Sequence, residues 1–350
     1  MPPPCGGNRI RSGCASLPTF CPNPDALHTP SIPRILTRFD GPDPGPLLVV
    51  LGGMHGNEPA GVNAVRRMGQ MLRAEPGGNP TFRYQGTFVG LAGNRKALQK
   101  RYRFLAEDLN RICTAANVAR IRALTPAARG PEEAELLELV NTIRELVEEC
   151  RPTRLYVLDI HTTTAFGGIF TLPAPDAESE RLAQALYAPV ITGMLEGLSG
   201  TTLHYFNRTN WGLPTVAVTF EAGQHEEAES ADRAVAAIVN CMRSIEAVRP
   251  QDVEHRHDEL LQTYSQGLPP RSRLLYTHRI TPADRFVMRP GYVNFQPVKK
   301  GEELGRDKNG PVLSPHTARI LMPLYQKQGN DGFFLVGAPK NLNFSGDQVL

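Results

Sequence analysis

The sequence predicts a three-layer α/β domain with a mostly parallel central sheet, followed by a small all-β, barrel-like domain. Between about residues 46 and 248, buried apolar runs alternate with segments of helical spacing, which is typical of helices packed on both faces of a parallel sheet. Beyond about residue 270, short apolar segments are separated by Gly, Pro and Asp turns, which indicates β structure. We therefore predict a first domain at 34–255, a linker at 256–272 and a β-rich domain at 273–350.

Four apolar runs predict the buried strands of the first domain. Each run is short, rich in aliphatic residues and bounded by turn or polar residues, which favours a strand covered on both faces. The predicted strands are 46–51, 86–91, 154–161 and 215–221.

Helices are predicted between these strands, because apolar residues recur there at spacings of three and four. The strongest pattern begins with a proline and two glutamates, which suit the first turn of a helix, and continues with leucines on one face. The predicted helices are 60–72, 131–150, 178–196 and 228–248.

The first 33 residues differ from the rest of the chain. They contain eight prolines and three cysteines without a periodic apolar pattern or the apolar core of a signal peptide. We expect a disordered extension or a start codon assigned too far upstream.

Composition excludes several classes of function. Hydrophobic residues make up 41% of the 350, and 38 Lys and Arg against 35 Asp and Glu leave a net charge of +3. This balance argues against nucleic acid or a membrane surface as the partner, and the sequence has no apolar run long enough to cross a bilayer. The six cysteines form no CxxC motif, which favours a reducing, cytoplasmic location.

Polar residues cluster where three of the predicted strands end. His55 and Glu58 follow the first strand, His161 ends the third and Glu221 ends the fourth. In open α/β sheets the active residues gather beyond the carboxyl ends of the strands. We therefore expect these four side chains at one site.

Two histidines and a carboxylate are the ligand set of hydrolytic zinc sites that keep one position open for water. His55 and Glu58 can meet at the turn into the next helix, and His161 is the best candidate for the third ligand. Helix capping is the alternative for the HxxE pair. Asp159 lies on the same side of the strand as His161, so that it can orient the imidazole or bind a loop backbone; both remain open.

Four motifs in one order give a resemblance to a known family. The sequence has GMHGNEPAG at 53–61, DLNR at 108–111, DIHTT at 159–163 and FEAG at 220–223. In this it resembles the succinylglutamate desuccinylase/aspartoacylase family, which shares the fold of the zinc carboxypeptidases. The resemblance covers roughly residues 35–248 and the β-rich tail.

The resemblance implies a zinc hydrolase domain at 34–255 and a role for each residue of the cluster. His55, Glu58 and His161 would hold one Zn²⁺ per chain, and Glu221 would be the general base that passes a proton from water to the leaving amine. The alternative for Glu221 is a helix-capping or surface carboxylate, but a charge directly after the apolar run 216–220 is costly to bury without a task.

The basic segment 101–111 is the expected site of substrate binding. The resemblance implies that Asn110 and Arg111 clamp a substrate carboxylate, since the planar guanidinium of arginine suits two parallel hydrogen bonds. It also implies that Arg103 polarises the scissile carbonyl. Without the resemblance, this segment would be interpreted as a solvated basic loop.

Other positions carry weaker expectations. The segment 288–305 is similar to the biotinyl-type hammerhead of the family tail, which either caps the site or serves packing alone. Arg208 lies where relatives add substrate contacts but does not align. For Tyr325 we expect packing within the β-rich tail, and for His225 a solvated loop rather than a second proton donor.

The predicted function is therefore a zinc-dependent amidohydrolase (deacylase) that cleaves the acyl group from a small N-acyl amino acid or related carboxylate. Homo-oligomer formation is left open. The alternatives are a carboxypeptidase-like peptidase and a metal-binding regulatory protein without catalysis. The retained Glu221 argues against the last, because a degenerate site has no need of a base.

Overall fold

The four predicted strands lie side by side, as the second to fifth strands of one eleven-stranded mixed sheet, in the computed structural model, which describes residues 31–339. A second sheet has three strands. The strands are β1 Ile35–Asp40, β2 Asp43–Gly52, β3 Gln85–Ala92, β4 Leu155–Thr163, β5 Phe170–Pro173, β6 Val190–Thr192, β7 Thr215–Gln224, β8 Arg271–Arg279, β9 Val287–Met288, β10 Pro297–Val298, β11 Glu303–Asp307, β12 Gly310–Leu313, β13 Ala318–Leu321 and β14 Asp331–Gly337.

Helices connect most of these strands. They are α1 Ala60–Gly78, α2 Arg95–Lys100, α3 Ala115–Ala123, α4 Pro131–Cys150, α5 Ala177–Ala185, α6 Met194–Gly197, α7 Thr202–Tyr205, α8 Arg208–Trp211, α9 Ser230–Ser244 and α10 Arg256–Ser265. A short 3-10 helix, Leu109–Arg111, precedes α3. The predicted helix at 131–150 is confirmed at both ends by α4, and those at 60–72 and 228–248 correspond to α1 and α9.

The four predicted strands run in the order β3-β2-β4-β7 and are parallel to one another. Their register pairs Gly52 with Ile160 and His161 with Glu221. The carboxyl ends of β2, β4 and β7 therefore lie together at one edge of the sheet, where the predicted site residues are found.

Two hydrophobic cores cover the two faces of the sheet, which confirms the layered α/β architecture. Successive side chains of a strand point to opposite faces. Val49 and Leu51 of β2 belong to the core that includes α4, whereas Leu48 and Val50 belong to the core that includes α1 and α9. All four side chains are fully buried, which explains why β2 is a continuous apolar run.

The strands that flank this parallel group on both sides are antiparallel to it, so the sheet as a whole is mixed. β1 is antiparallel to β3, and β5 is antiparallel to β7. Neither strand was predicted, because β1 is half exposed and β5 has only four residues.

The prediction of one helix over 178–196 is wrong, since this segment folds as α5, β6 and α6. Proline lacks an N–H group and disfavours helical conformation in the residue before it, so Pro189 separates the two halves. The backbone of β6 then pairs with β5 and β8, and this pairing replaces helical hydrogen bonds.

The C-terminal strands extend the large sheet rather than form only a sheet of their own. β8, β14, β13 and β10 continue it beyond β6, while β9, β11 and β12 form the three-stranded sheet. A third hydrophobic core lies among these strands. The all-β character of the tail is thus seen in part, whereas the barrel-like shape and the domain boundaries stay predictions.

The stretch 256–272, predicted as a linker between two domains, begins with the helix α10. Leu261 of α10 is fully buried in the core shared with α9. Arg243 of α9 donates two hydrogen bonds to Asp258 of α10, at 2.6 and 3.0 Å. Because this segment is mostly polar, its sequence did not indicate a helix. Leu261 is the fully buried residue through which α10 packs against the core.

The expectation for residues 1–33 falls almost wholly on residues 1–30, outside the described part of the chain. Within that part, no helix combines the length and the hydrophobicity required to cross a bilayer.

Candidate metal centre and substrate cleft

The turn after β2 carries His55 and Glu58, and its shape depends on glycine. A Cβ atom at Gly56 would lie 2.1 Å from the carbonyl carbon of Ala97 and 2.4 Å from the carbonyl oxygen of Tyr102. The Gly56 amide instead donates a hydrogen bond to the carbonyl of Arg103 at 3.1 Å. The glycine of the HGNE motif therefore packs the turn directly against the loop that holds Arg103.

His55, Glu58 and His161 converge in the buried interior, although their strands are far apart in sequence. One ligand atom from each lies within 4.8 Å of the others. The Nδ1 atoms of His55 and His161 lie 2.8 and 3.0 Å from the two carboxylate oxygens of Glu58. All three side chains are at most 3% exposed.

Carboxylates also hold the far side of each imidazole ring. Nε2 of His55 lies 3.1 Å from Oδ1 of Asp108, and Nε2 of His161 lies 3.0 Å from Oδ2 of Asp159. Asp159 also accepts a hydrogen bond of 2.6 Å from the Thr202 hydroxyl. An outer carboxylate that accepts the second ring N–H fixes the tautomer that leaves Nδ1 as a ligand.

The donor set fits a divalent metal. Two inward Nδ1 atoms and one carboxylate match the ligands of hydrolytic zinc sites, and their outer atoms are already bound. Burial opposes ionisation of Glu58, but His55 and His161 hold its pKa well below the ordinary value. The two rings act on Glu58 through their charged forms, and although burial lowers the pKa of His161, Asp159 and Glu58 raise it above its ordinary value. Glu58 is therefore an anionic ligand, and a metal would take the place of the inward proton of each ring.

Glu221 lies beside this group without a hydrogen-bond partner for one of its oxygens. It is paired with His161 across β4 and β7, is 6% exposed, and its Oε2 atom is buried without a partner among the described residues. Burial raises the pKa of Glu221 to about 8, an effect that Glu58 and Asp159 reinforce and His161 opposes. A carboxyl group with a raised pKa is suited to accept and return a proton near neutral pH.

Arg103 lies between Asp108 and Glu58. Its guanidinium binds Asp108 at 2.9 Å and lies 3.6 Å from Oε1 of Glu58. Although burial acts against the charge, the two carboxylates raise the pKa of Arg103. The arginine is thus held as a cation at the wall of the cleft.

The loop that carries Arg103 is anchored by Glu132, a residue that the sequence analysis did not select. This carboxylate is fully buried at the start of α4 and accepts hydrogen bonds from the backbone amides of Leu105, Ala106 and Glu107, at 2.7, 3.1 and 3.4 Å. It also accepts one from the side chain of Asn94. The only available signal was its position in the first turn of a helix, which helix capping explains equally well.

Asn110 and Arg111 both line the cleft, but each already has protein partners. The side-chain oxygen of Asn110 accepts a 2.8 Å hydrogen bond from the Thr202 amide, and its Nδ2 lies 3.4 Å from Nε2 of His161. Arg111 donates to Asp331 at 2.7 Å. Asp331 begins β14 and was not predicted, because no motif marks it.

His225 lies in the wall of the cleft, so the expectation of a solvated loop is wrong. Its Nδ1 atom lies 2.7 Å from the Thr162 hydroxyl, and its Nε2 atom is buried without a partner among the described residues. Burial lowers the pKa of His225, which favours the neutral ring. The Thr163 carbonyl accepts the His225 amide and thereby holds the loop at the site.

Two other candidates lie away from the cleft. Arg208 is exposed on α8 and does not line it. The Tyr325 hydroxyl donates to the carbonyl of Arg289 and accepts from the amide of Tyr292. These contacts occupy Tyr325 within the C-terminal strands.

The fold recurs in several solved structures. Succinylglutamate desuccinylase from Vibrio parahaemolyticus aligns with a TM-score of 0.55 at 18% identity, over 84% of this chain and 82% of that one. The product-bound ectoine utilization protein EutE (DoeB) from Ruegeria pomeroyi aligns with a TM-score of 0.59 at 17% identity, over 85% and 87%. Murine aminoacylase 3 gives 0.52 at 19% identity, over 84% and 95%. At these identities the likeness concerns the fold.

The family is shown by the amino-acid sequence. Residues 44–245 match the model of the succinylglutamate desuccinylase/aspartoacylase catalytic domain, so the chain belongs to this family of deacylases, as its motifs predicted. No curated protein sequence matches it significantly.

Proposed function

We propose that the protein is a zinc-dependent amidohydrolase that removes the acyl group from a small N-acyl amino acid. The observation that carries this proposal is the buried convergence of His55, Glu58 and His161. Glu221 is paired in register with His161, and one of its carboxyl oxygens has no hydrogen-bond partner in the described part of the chain. An amide resists hydrolysis because its carbonyl is a weak electrophile and its amine a poor leaving group. The three metal ligands can hold an ion that polarises the carbonyl, and Glu221 can protonate the leaving amine.

In this proposal His55, Glu58 and His161 hold the zinc, and Asp108 and Asp159 orient the two imidazoles. Zinc held by these residues would polarise the carbonyl and lower the pKa of a water molecule toward about 7. Glu221 would accept a proton from the attacking water and deliver it to the nitrogen of the leaving amine. A metal-binding protein without catalysis has no use for a buried carboxyl group in this position.

Arg103, Asn110 and Arg111 are proposed to bind the substrate. The Arg103 guanidinium stabilises the negative charge that develops on the carbonyl oxygen. Asn110 and Arg111 bind the carboxylate, with Arg111 as the charged partner. A free peptide C-terminus would also meet this requirement, and the carboxypeptidase alternative is therefore an outcome of the test below.

We further propose a cytoplasmic location and metabolic small molecules as the substrates. The described cysteines Cys113, Cys150 and Cys241 are free thiols, which is typical of a reducing compartment. Homo-oligomer formation stays a prediction.

The test combines metal analysis with a substrate panel. Zinc-loaded protein is incubated with N-acetyl, N-succinyl and N-formyl amino acids and with short peptides, and the released amine is quantified. We expect acyl amino acids to be cleaved and peptides not to be. Glu221→Gln should retain zinc yet lose roughly 100- to 10,000-fold in kcat; an unchanged rate would remove Glu221 from the role of base.

A further inference from the structure

The cleft beside the metal ligands has an apolar wall. Its cavity volume is about 100 Å³, and the cleft is open to solvent on one side. Leu195, Leu198 and Met322 are only partly buried by the core behind them and therefore present apolar surface. The apolar residues that line the cleft are Leu172, Met194, Leu195, Leu198, Leu203, Met322, Leu324 and Phe334.

The positive charges of the cleft are already paired. Among the described residues that line it, Arg103 and Arg111 are the only arginines, and there is no lysine. Arg103 binds Asp108 at 2.9 Å, and Arg111 binds Asp331 at 2.7 Å. The buried Nε atom of Arg111 has no hydrogen-bond partner in the described chain, which leaves one donor unsatisfied on this guanidinium.

Asp331 places a carboxylate in the cleft that occupies the guanidinium of Arg111. It is 7% exposed, and besides Arg111 it contacts Arg279 at 3.0 Å. A second carboxylate of a substrate would meet no unpaired arginine among the described residues of this cleft. It would lie against uncharged polar side chains such as Thr201 and Asn330, near this aspartate or against the leucines, and it would lose water without gaining a cation. An uncharged apolar group would instead displace water from the leucine and methionine side chains.

We propose that the substrate is an N-acyl amino acid with a single carboxylate and an apolar group, and that Asp331 is a specificity-determining residue that excludes acidic substrates. This inference rests on the proposed hydrolytic function and narrows its substrate class. The apolar group is either the amino-acid side chain or the acyl chain, since both extend from the same amide.

The test compares matched substrates on the zinc-loaded protein. N-acetyl-leucine carries the apolar group on the side chain and N-hexanoyl-glycine on the acyl chain, while N-acetyl-aspartate and N-succinyl-glutamate carry additional carboxylates. We expect kcat/KM for at least one apolar substrate to exceed that of both acidic ones by about 100-fold, the range that one pocket contact can supply. Equal or greater activity on the acidic substrates would overturn the inference.

Variants test the role of Asp331 separately. Asp331→Asn keeps the shape and removes the charge, so the ratio of apolar to acidic kcat/KM should fall at least tenfold. Asp43→Asn, at the opposite end of β2, is the matched control and should leave the ratio unchanged. A ratio for Asp331→Asn equal to that of the control would remove Asp331 from specificity. Leu198→Lys should likewise favour acidic substrates, because it adds a cation to the apolar wall.

A binding measurement separates failure of this inference from failure of the proposed function. The same compounds are titrated calorimetrically onto the zinc-loaded Glu221→Gln variant, in which turnover is blocked. Absence of hydrolysis in the unmodified protein with tighter binding of the apolar compounds would contradict the catalytic proposal and support the substrate class. Tighter binding of the acidic compounds would reject the substrate class whatever the turnover.

Discussion

Glu132 offers the sharpest test of how the active-site loop is held. Its two carboxylate oxygens accept four hydrogen bonds, three from the backbone of residues 105–107 and one from Asn94. Glu132→Gln keeps the size of the side chain but replaces one oxygen by an NH₂ group. Because this group can only donate, two of the four donors lose their acceptor in either orientation of the amide.

The loss of stability in Glu132→Gln depends on how far the carboxylate and its four donors are buried. Glu132 is fully buried, whereas the backbone of residues 105–107 that donates to it is only partly buried. An unsatisfied buried donor costs about 1–3 kcal/mol, so two of them would cost about 2–6 kcal/mol in the free energy of unfolding. The partial exposure of the loop places the expected loss toward the lower end of this range. Activity should fall as well, since residues 105–107 lie between Arg103 and Arg111, and displacement of either arginine disturbs substrate binding.

Urea denaturation, followed by circular dichroism, measures the stability, and the acyl-substrate assay measures kcat/KM. Glu145→Gln is the matched control, because it makes the same substitution on the exposed face of α4 and should change stability by less than about 0.5 kcal/mol. The reasoning is refuted if Glu132→Gln stays as close to the unmodified protein as this control does.

Three further predictions concern the site itself. Metal analysis should find about one zinc per chain, and chelation should abolish activity that added zinc restores; full activity without metal would contradict the mechanism. Arg111→Ala should raise KM for N-acyl amino acids by roughly 10- to 100-fold yet leave the corresponding amides unaffected, and an equal effect on both would exclude the clamp. In metal-free protein, burial raises the pKa of Glu221 from 4.5 to about 8. The folded state therefore favours the protonated carboxyl group. The contribution of this group to stability is fully present below about pH 4.5 and is lost as the pH rises through 8. Metal-free Glu221→Gln should therefore gain stability relative to the unmodified protein over this range, as thermal unfolding at several pH values would show; a constant difference would contradict the burial argument.

The sequence was most informative where one physical requirement dominates. The strands β2, β3, β4 and β7 are buried on both faces, so they had to be apolar runs, and all four were predicted. The histidines and glutamates at their ends were equally visible, because a charged side chain directly after such a run needs a function or a partner. Parallel pairing then brings these ends to one edge.

Prediction failed where long-range pairing decides the conformation. The segment 178–196 has the spacing of a helix, yet β6 forms within it because β5 and β8 offer backbone partners on both sides. α10 was hidden for the opposite reason, since its sequence is polar and it docks through Leu261 onto a surface that exists only in the folded chain.

By itself the sequence determined the α/β class, the family and the order of the motifs that include His55, Glu58 and His161. The tertiary structure alone decided what surrounds them. Asp331 reaches Arg111 from 220 residues further along the chain, and Glu132 reaches the Arg103 loop from the start of α4. His225 turns inward because its backbone amide binds Thr163. Such contacts depend on distances between elements remote in sequence, and local spacing contains no information about those distances.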